Sequence, residues 1–155
     1  MRRSIWNLRA NPLEHHTLLE ALQIVAAERR SGLLVQIEAA GHGPPRSIPD
    51  FVAGNLLLLA HEGITNALKH ARPTQIDLQL RFTDDFLSLT VRDDGVGFEP
   101  ASADGPKDGH FGLQGMRERM KRLGGVLKIE SSRGKGTLIT ATVRSEIPSF
   151  SPTAS

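Results

Sequence analysis

The 155-residue chain contains no cysteine, which excludes disulfide bonds and thiolate metal sites and fits a reducing compartment. Its longest uninterrupted apolar run, residues 56–60, is far too short to cross a bilayer. A basic start, Met1-Arg2-Arg3, is followed by no apolar stretch of signal-peptide length. The sequence therefore predicts a soluble cytoplasmic polypeptide without membrane contact of its own, and leaves open an inner-membrane anchor in a parent protein.

Neither sign of charge dominates, since 19 basic residues accompany 17 acidic ones and the net charge is +2. So small an excess does not indicate nucleic acid or an anionic membrane as a partner. Hydrophobic residues at 39% and charged residues at 23% are typical of a globular protein. At this length we expect one domain with a proper core.

Hydrophobic periodicity predicts helices and strands in alternation. Residues 13–30 have the apolar density of an amphipathic helix, residues 33–39 alternate as a strand does, and residues 41–45 have the composition of a loop. Downstream, residues 75–82, 87–91, 126–130 and 137–143 read as four further strands with one apolar and one polar face. This pattern predicts an α+β fold, a two-layer α/β sandwich whose mixed, mostly antiparallel sheet is covered by helices on one face.

A central, deeply buried helix is expected before the second strand. Ser47 is the predicted cap, Pro49 is tolerated in the first turn, and Arg72-Pro73 stops the helix. Gly54 and Gly63 inside it indicate close packing, because each costs about 1 kcal/mol against alanine.

Residues 94–111 contain four glycines and two prolines without periodicity, which predicts either a functional lid or plain disorder. A helix follows with Leu113, Met116, Met120 and Leu123 on one side, and its basic side is interpreted as a solvated face.

The chemistry is concentrated in the central helix. Glu62 and Asn66 stand one helical turn apart, and Lys69 follows them. Mg²⁺ takes oxygen ligands from few side chains and fills its other positions with water and phosphate oxygens, while lysine supplies a positive charge for phosphate. An ordinary buried helix with a polar edge explains the same residues when they are taken alone.

Two glycine-rich stretches add to that helix. Residues 93–98 (Asp-Asp-Gly-Val-Gly-Phe) follow a strand, and their glycines permit a close backbone approach to a flat ligand beside a carboxylate that suits the amino group of adenine. Residues 109–116 run into a helix start, where free N–H groups favour phosphate. A simple turn and a flexible loop remain the alternatives for each stretch by itself.

In this order and context the motifs resemble the catalytic ATP-binding domain of bacterial two-component sensor histidine kinases. Residues 62–71 are similar to the N box, 93–98 and 109–116 to the two glycine boxes, and 134–137 to the closing Gly-Thr segment. The residues of these boxes are similar to those of the subgroup typified by nitrate-responsive sensors. The family belongs to the ATPase superfamily shared with gyrase, mismatch-repair ATPases and a heat-shock chaperone. The resemblance implies the Bergerat-type ATP-binding fold, with ATP and Mg²⁺ as cofactors.

The resemblance also implies residue roles at the base. Asp93 would receive the adenine amino group, with Thr137 behind it. His70 would lie against adenine or ribose. Gly95 and Gly97 would give the base room.

At the phosphates, Asn66 would bind Mg²⁺ through its side-chain oxygen and Lys69 would contact phosphate. Glu62 matches the acid of the superfamily and ranks second to Asn66 among the catalytic residues. The inner edge of the lid would be formed by Gly112, Leu113, Gly115 and Met116.

One departure concerns the acceptor, because no histidine helix of the family's kind precedes Trp6. We therefore expect residues 1–12 to be a linker from a missing dimerisation domain, 13–147 the catalytic domain, and 148–155 a disordered tail. The expected partners are that histidine-bearing domain and a response regulator, with a monomeric fragment and a homodimeric parent. A stand-alone anti-sigma-type serine kinase and a non-catalytic nucleotide-binding module remain the alternatives.

Overall fold

The computed structural model describes Leu13, residues 15–98 and residues 111–144. The predicted linker, most of the predicted lid and the predicted tail lie outside the described residues. The regular elements, in chain order, are α1 (Leu18–Arg30), β1 (Gln36–His42), α2 (Asp50–Asn66), a π-helical turn (Ala67–Ala71), β2 (Gln75–Phe82), β3 (Phe86–Asp93), α3 (Phe111–Arg122), β4 (Val126–Ser131) and β5 (Thr137–Arg144).

Five strands form one sheet in the order β1-β2-β3-β5-β4. Strand β1 runs parallel to β2, and the other three pairings are antiparallel. The prediction of a mixed, mostly antiparallel sheet is thereby confirmed. The first strand, predicted at residues 33–39, lies three residues later, because its pairing with β2 runs from Gln36 opposite Gln75 to His42 opposite Arg81, while Leu34 stays fully exposed. Residues 41 and 42, predicted as loop, therefore belong to β1.

The two faces of the sheet differ in burial, as the alternation predicted. The apolar side chains of β2, β3 and β5 point into the core that the helices cover, and they are Ile76, Leu78, Leu80, Phe82, Leu87, Leu89, Val91, Ile139, Ala141 and Val143. The helices contribute fully buried side chains to the same core, among them Leu22, Leu56, Leu59 and Met116. The structure is therefore the predicted two-layer sandwich.

Helix α1 begins five residues later than predicted, at a capping box. The side chain of Thr17 accepts from the N–H of Glu20 at 3.1 Å, and the Glu20 carboxylate accepts from the N–H of Thr17 at 2.9 Å. Both bonds satisfy N–H groups that a helix start leaves unpaired.

Helix α2 differs from its prediction at the start and agrees at the end. Pro49, in an extended conformation, is the last residue before the helix and no side chain caps it, so the predicted cap at Ser47 is wrong. Close packing is confirmed at Gly63, where an added Cβ would lie 3.0 Å from Val91, and is wrong at Gly54, which faces open space. Arg72 ends the helical run in the left-handed conformation.

Candidate active site

The site begins where α2 changes its winding. After Asn66 the chain continues as a π-helical turn over Ala67–Ala71, a wider form of helix that is rare and is frequent at functional sites. Asn66, His70 and Ala71 then stand along one wall of a cavity. The stretch singled out in the sequence therefore has a distinct backbone as well as a distinct composition.

The cavity has a volume of about 230 Å³ and lies between this wall, the ends of β3 and β5, and the first turn of α3. It is lined by Gly63, Asn66, Ala67, His70, Ala71, Val91, Asp93, Gly97, Phe98, Leu113, Thr137 and Ile139. Most of these groups are apolar, and a few polar ones converge among them, as in sites for small ligands. Six predicted site residues meet here although they come from four separate stretches of the chain.

Asp93 and Thr137 form the polar floor of the cavity. They face each other as register partners on β3 and β5, and both are buried at 8% exposure. The Oδ1 atom of Asp93 accepts from the N–H of Gly95 at 2.8 Å. Burial raises the pKa of the Asp93 carboxyl, and this backbone hydrogen bond opposes the rise. The pair offers hydrogen-bond acceptors at the bottom of an apolar slot.

Ser131, which the sequence reasoning missed, fixes the orientation of the Thr137 hydroxyl in the floor of the cavity. Its hydroxyl donates to the carbonyl of Gly136 at 3.0 Å and accepts from the N–H of Phe98 at 2.9 Å. The Thr137 hydroxyl lies 2.9 Å from the same oxygen. Because the Ser131 proton is already directed to Gly136, Thr137 donates to Ser131 and keeps its own lone pairs as acceptors.

The glycines of the 93–98 stretch are required by the protein's own backbone. An added Cβ at Gly95 would lie 2.3 Å from the carbonyl oxygen of Ala71, and one at Gly97 would lie 2.0 Å from that of Ser132. Gly97 also has a φ of 69°, which disfavours other residues. This packing explains both glycines without a bound base, although Gly97 does line the cavity.

The three predicted phosphate-end residues, two on α2 and Lys69 in the π-helical turn, are placed differently. Asn66 lines the cavity, and its side-chain nitrogen is buried with no hydrogen-bond partner in the part of the chain that the structure describes. Glu62 is half-buried and Lys69 is exposed, and neither side chain lines the cavity wall. An unpaired buried amide beside a cavity indicates a polar group that a ligand completes.

The donor set fits Mg²⁺ in the way that nucleotide sites hold it. Among the described residues, no group of three His, Asp or Glu side chains could enclose a metal ion. Mg²⁺ bound with a nucleotide uses one or two side chains, with phosphates and water completing its octahedron. The Asn66 amide, which presents oxygen or nitrogen according to the rotation of its last bond, can supply such a ligand.

At the start of α3, only one of the four predicted lid-edge residues lines the cavity. Leu113 is buried in its wall, and Gly112 lies in the first turn of the helix. Gly115 is half-buried with open space beside it, whereas Met116 is fully buried in the core.

Next to the site, the half-buried His61 lies beside a cation. Its Nδ1 lies 3.3 Å from Nη1 of Arg29, and burial together with this neighbouring charge lowers its pKa to about 4. A histidine whose pKa is lowered in the folded state stabilises the fold above its unfolded pKa of about 6.5, and this contribution is lost as the pH falls toward 4.

We therefore expect wild-type stability to fall by about 2 kcal/mol between pH 7 and pH 5 from this one group. His61→Gln removes the titration, so its unfolding free energy should change less over the same interval. Urea denaturation at the two pH values measures the difference, with His16→Gln as the exposed control. Equal pH dependence in the wild type and H61Q would contradict this account of His61.

The sequence pattern that describes the histidine kinase-, DNA gyrase B- and HSP90-like ATPases matches residues 52–147, more than half of the chain. The chain belongs to this ATPase family. The match covers α2 from its third residue, the π-helical turn and all the residues that line the cavity, so the resemblance inferred from the motifs is confirmed.

Several relatives in this ATPase family are histidine kinases. The chain is 40% identical over 98 residues to the histidine-protein kinase/phosphatase DegS of Bacillus subtilis, covering 63% of this chain and 25% of DegS. It is 38% identical over 93 residues to the nitrate/nitrite sensor protein NarQ of Escherichia coli, covering 59% of this chain and 16% of NarQ. The chain thus spans a quarter or less of the length of these two kinases, and it corresponds to an ATP-binding catalytic domain.

Solved structures agree with this assignment. The histidine kinase domain of the Erythrobacter litoralis EL346 blue-light activated histidine kinase matches with a TM-score of 0.63 at 28% identity, over 81% of this chain and 64% of that one. In the described part of the chain, no helix has both the length and the apolar character needed to cross a membrane.

Proposed function

We propose that the cavity binds Mg-ATP and that the chain transfers the γ-phosphoryl group to a histidine of a dimerisation domain, for relay to a response regulator. The observation that carries this proposal is that one cavity holds the buried Asp93–Thr137 floor and the Asn66 amide, whose nitrogen has no hydrogen-bond partner among the described residues. In the same proposal, residues 13–147 form the catalytic domain, 1–12 a linker and 148–155 a tail.

The floor of the cavity suits adenine. A flat purine can lie between the apolar side chains of Val91, Leu113 and Ile139. Its exocyclic amine then donates to the Asp93 carboxylate, and a hydrogen bond to a charged acceptor is worth about 1.5–3 kcal/mol. A base that lacks this amine would leave the remaining acceptor positions of the buried Asp93 carboxylate unfilled, which makes the site selective.

The open end of the cavity suits the triphosphate. Asn66 lies on the α2 wall, and the first turn of α3, with Gly112, brings N–H groups and the positive end of a helix dipole. Lys69, which is exposed, is mobile enough to follow a phosphate oxygen. The half-buried Glu62 is one turn before Asn66, where it would face the incoming acceptor or orient the ligands of the ion.

Phosphoryl transfer asks the protein chiefly to position reactants and to offset charge that develops on the phosphoryl oxygens. The bond between the γ-phosphorus and the bridging oxygen breaks, a bond from phosphorus to an imidazole nitrogen forms, and ADP leaves. Bound Mg²⁺ supplies charge neutralisation at the phosphates. Asp93 holds the adenine base, and Asn66 orients the phosphates at the other end of the nucleotide. Together these two contacts align the γ-phosphoryl group with the acceptor histidine.

The test is a transfer assay with γ-labelled ATP, the chain, and a supplied helical domain that carries an acceptor histidine from a related kinase. We expect Mg-dependent labelling of the domain that is labile in acid, as phosphohistidine is. Acid-stable label on serine would support the anti-sigma-type kinase instead. Absence of any label from folded protein that does bind ATP would favour the non-catalytic module.

Asp93→Asn should weaken ATP binding by about 10- to 100-fold, since a charged acceptor worth 1.5–3 kcal/mol is replaced by a neutral amide. The fold should persist because the amide oxygen can still accept from the N–H of Gly95. Asp94→Asn is the matched control, since the Asp94 carboxylate accepts hydrogen bonds from the N–H groups of Thr74 and Gln75 and does not line the cavity. Calorimetric titration with ATP should show a large loss for D93N and little change for D94N, and equal affinities would contradict the adenine assignment.

A further inference from the structure

The last turn of α1 is tied to α2 by one side chain, Arg29. Its Nη2 donates to Oγ1 of Thr65 at 3.0 Å, and its Nη1 donates to the carbonyl oxygen of His61 at 3.5 Å. The same Nη1 lies 3.3 Å from the ring nitrogen Nδ1 of His61, which accepts because the low pKa keeps the ring neutral. One guanidinium therefore holds two successive turns of α2.

These two turns carry the phosphate-end residues. His61 and Thr65 are one turn apart on one side of α2, and Glu62 and Asn66 each follow one of them by a single residue. Rotation of α2 about its axis would therefore move the held pair and the pair at the site by the same angle. Arg29 fixes that rotation directly before Asn66, the last residue with regular α-helical winding.

The burial and the partners of Arg29 indicate that this side chain orients α2 relative to α1. Arg29 is half-buried, and this partial loss of water disfavours the charged form and lowers the pKa of the guanidinium. In the described residues it forms no ion pair with a carboxylate, and its partners above are neutral. Apolar side chains would join two helices at lower cost, whereas a planar fork of donors fixes direction.

We propose that Arg29 is a positioning residue for magnesium binding: by holding His61 and Thr65, it sets the rotation of α2 that presents the Asn66 amide to the ion. This inference rests on the proposed function of the cavity. It concerns a residue that lies outside the segment matched by the family pattern and that does not line the cavity. Arg29 should therefore act on the coupling between the ion and the nucleotide and leave recognition of the base intact.

The measurement is the ratio of two ATP dissociation constants, one with EDTA and one with saturating Mg²⁺. In the wild type we expect Mg²⁺ to tighten ATP binding at least about tenfold. Arg29→Met should bring this ratio close to one while the affinity for metal-free ATP changes less than twofold. Arg29→Lys, which retains a charge and can reach one acceptor, should give an intermediate ratio.

Arg30→Met is the matched control. Arg30 lies next to Arg29, and its Nη1 donates at 3.4 Å to the carbonyl oxygen of Ile37 on β1, so it ties α1 to the sheet instead of to α2. R30M should lower the melting temperature and retain the wild-type ratio. Thr65→Val covers the case in which R29M does not fold, because it removes only one hydroxyl acceptor, and its ratio should fall about threefold.

The outcomes separate the two hypotheses. A wild-type ratio in folded R29M, or in T65V where R29M does not fold, overturns the positioning role while leaving the nucleotide site intact. An equal fall of the ratio in R30M also overturns it, since general loosening of α1 would then be the cause. Failure of wild-type protein to bind ATP at all would instead reject the proposed function.

Discussion

Asn66→Ala is expected to lower the rate of phosphoryl transfer by about 100-fold or more, because it removes the side chain that we assign to the ion at the phosphates. The free energy of unfolding should hardly change, since the buried amide nitrogen of Asn66 has no partner to lose among the described residues. Transfer assays and urea denaturation on the same preparation measure the two quantities.

Asn55→Ala is the control for this prediction. It lies on the same helix, and its side-chain nitrogen donates to the carbonyl oxygen of Phe51 at 2.8 Å, outside the cavity wall. Its transfer rate should match the wild type. Normal transfer by N66A, or a stability loss in N66A large enough to explain its inactivity, would count against the assigned role.

Gly97→Ala is expected to destabilise the fold by at least about 3 kcal/mol, because a backbone oxygen stands where the new methyl group must go. The added Cβ would lie 2.0 Å from the carbonyl of Ser132, and the φ of 69° adds strain that alanine cannot relieve. Gly54→Ala is the opposite case inside α2, where an added Cβ has nothing within 4 Å, and it should stabilise the fold by about 0.5–1 kcal/mol.

Urea denaturation of the two variants tests the origin of these glycines. A large loss in G97A together with a gain in G54A confirms that protein packing requires Gly97 before any nucleotide binds. If G97A is as stable as the wild type and only nucleotide affinity falls, the room given to the base is the explanation, as the sequence reasoning had it.

Local patterns predicted those parts of the fold that one segment determines by itself. The alternation of Ile76, Leu78 and Leu80 depends only on which face of a strand is buried, and it identified the inner face of the sheet correctly. The prediction of the α2 cap was wrong. Ser47 has a hydroxyl that could cap a helix, but it lies two residues too early, because the helix begins directly after the extended backbone of Pro49.

The site contacts that the sequence could not predict depend on pairing between segments that are distant in the chain. Thr137 lies opposite Asp93 only because β3 pairs with β5 across an intervening helix and strand, and no local pattern contains that register. Ser131 was missed for the same reason. A serine at the end of an edge strand carries no local signal, and only the folded structure places its hydroxyl against that of Thr137. The role of Arg29 likewise depends on a contact between residues 32 to 36 positions apart.

The most direct test of the account is a titration of the methyl-labelled chain with Mg-ATP, followed by nuclear magnetic resonance. We predict saturable binding with the largest shifts at Val91, Leu113 and Ile139, whose side chains line the cavity beside Asp93. Well-folded protein that shows no shifts, or shifts confined to Val126 and Leu138 outside that cavity, would contradict the assignment of this cavity to a nucleotide.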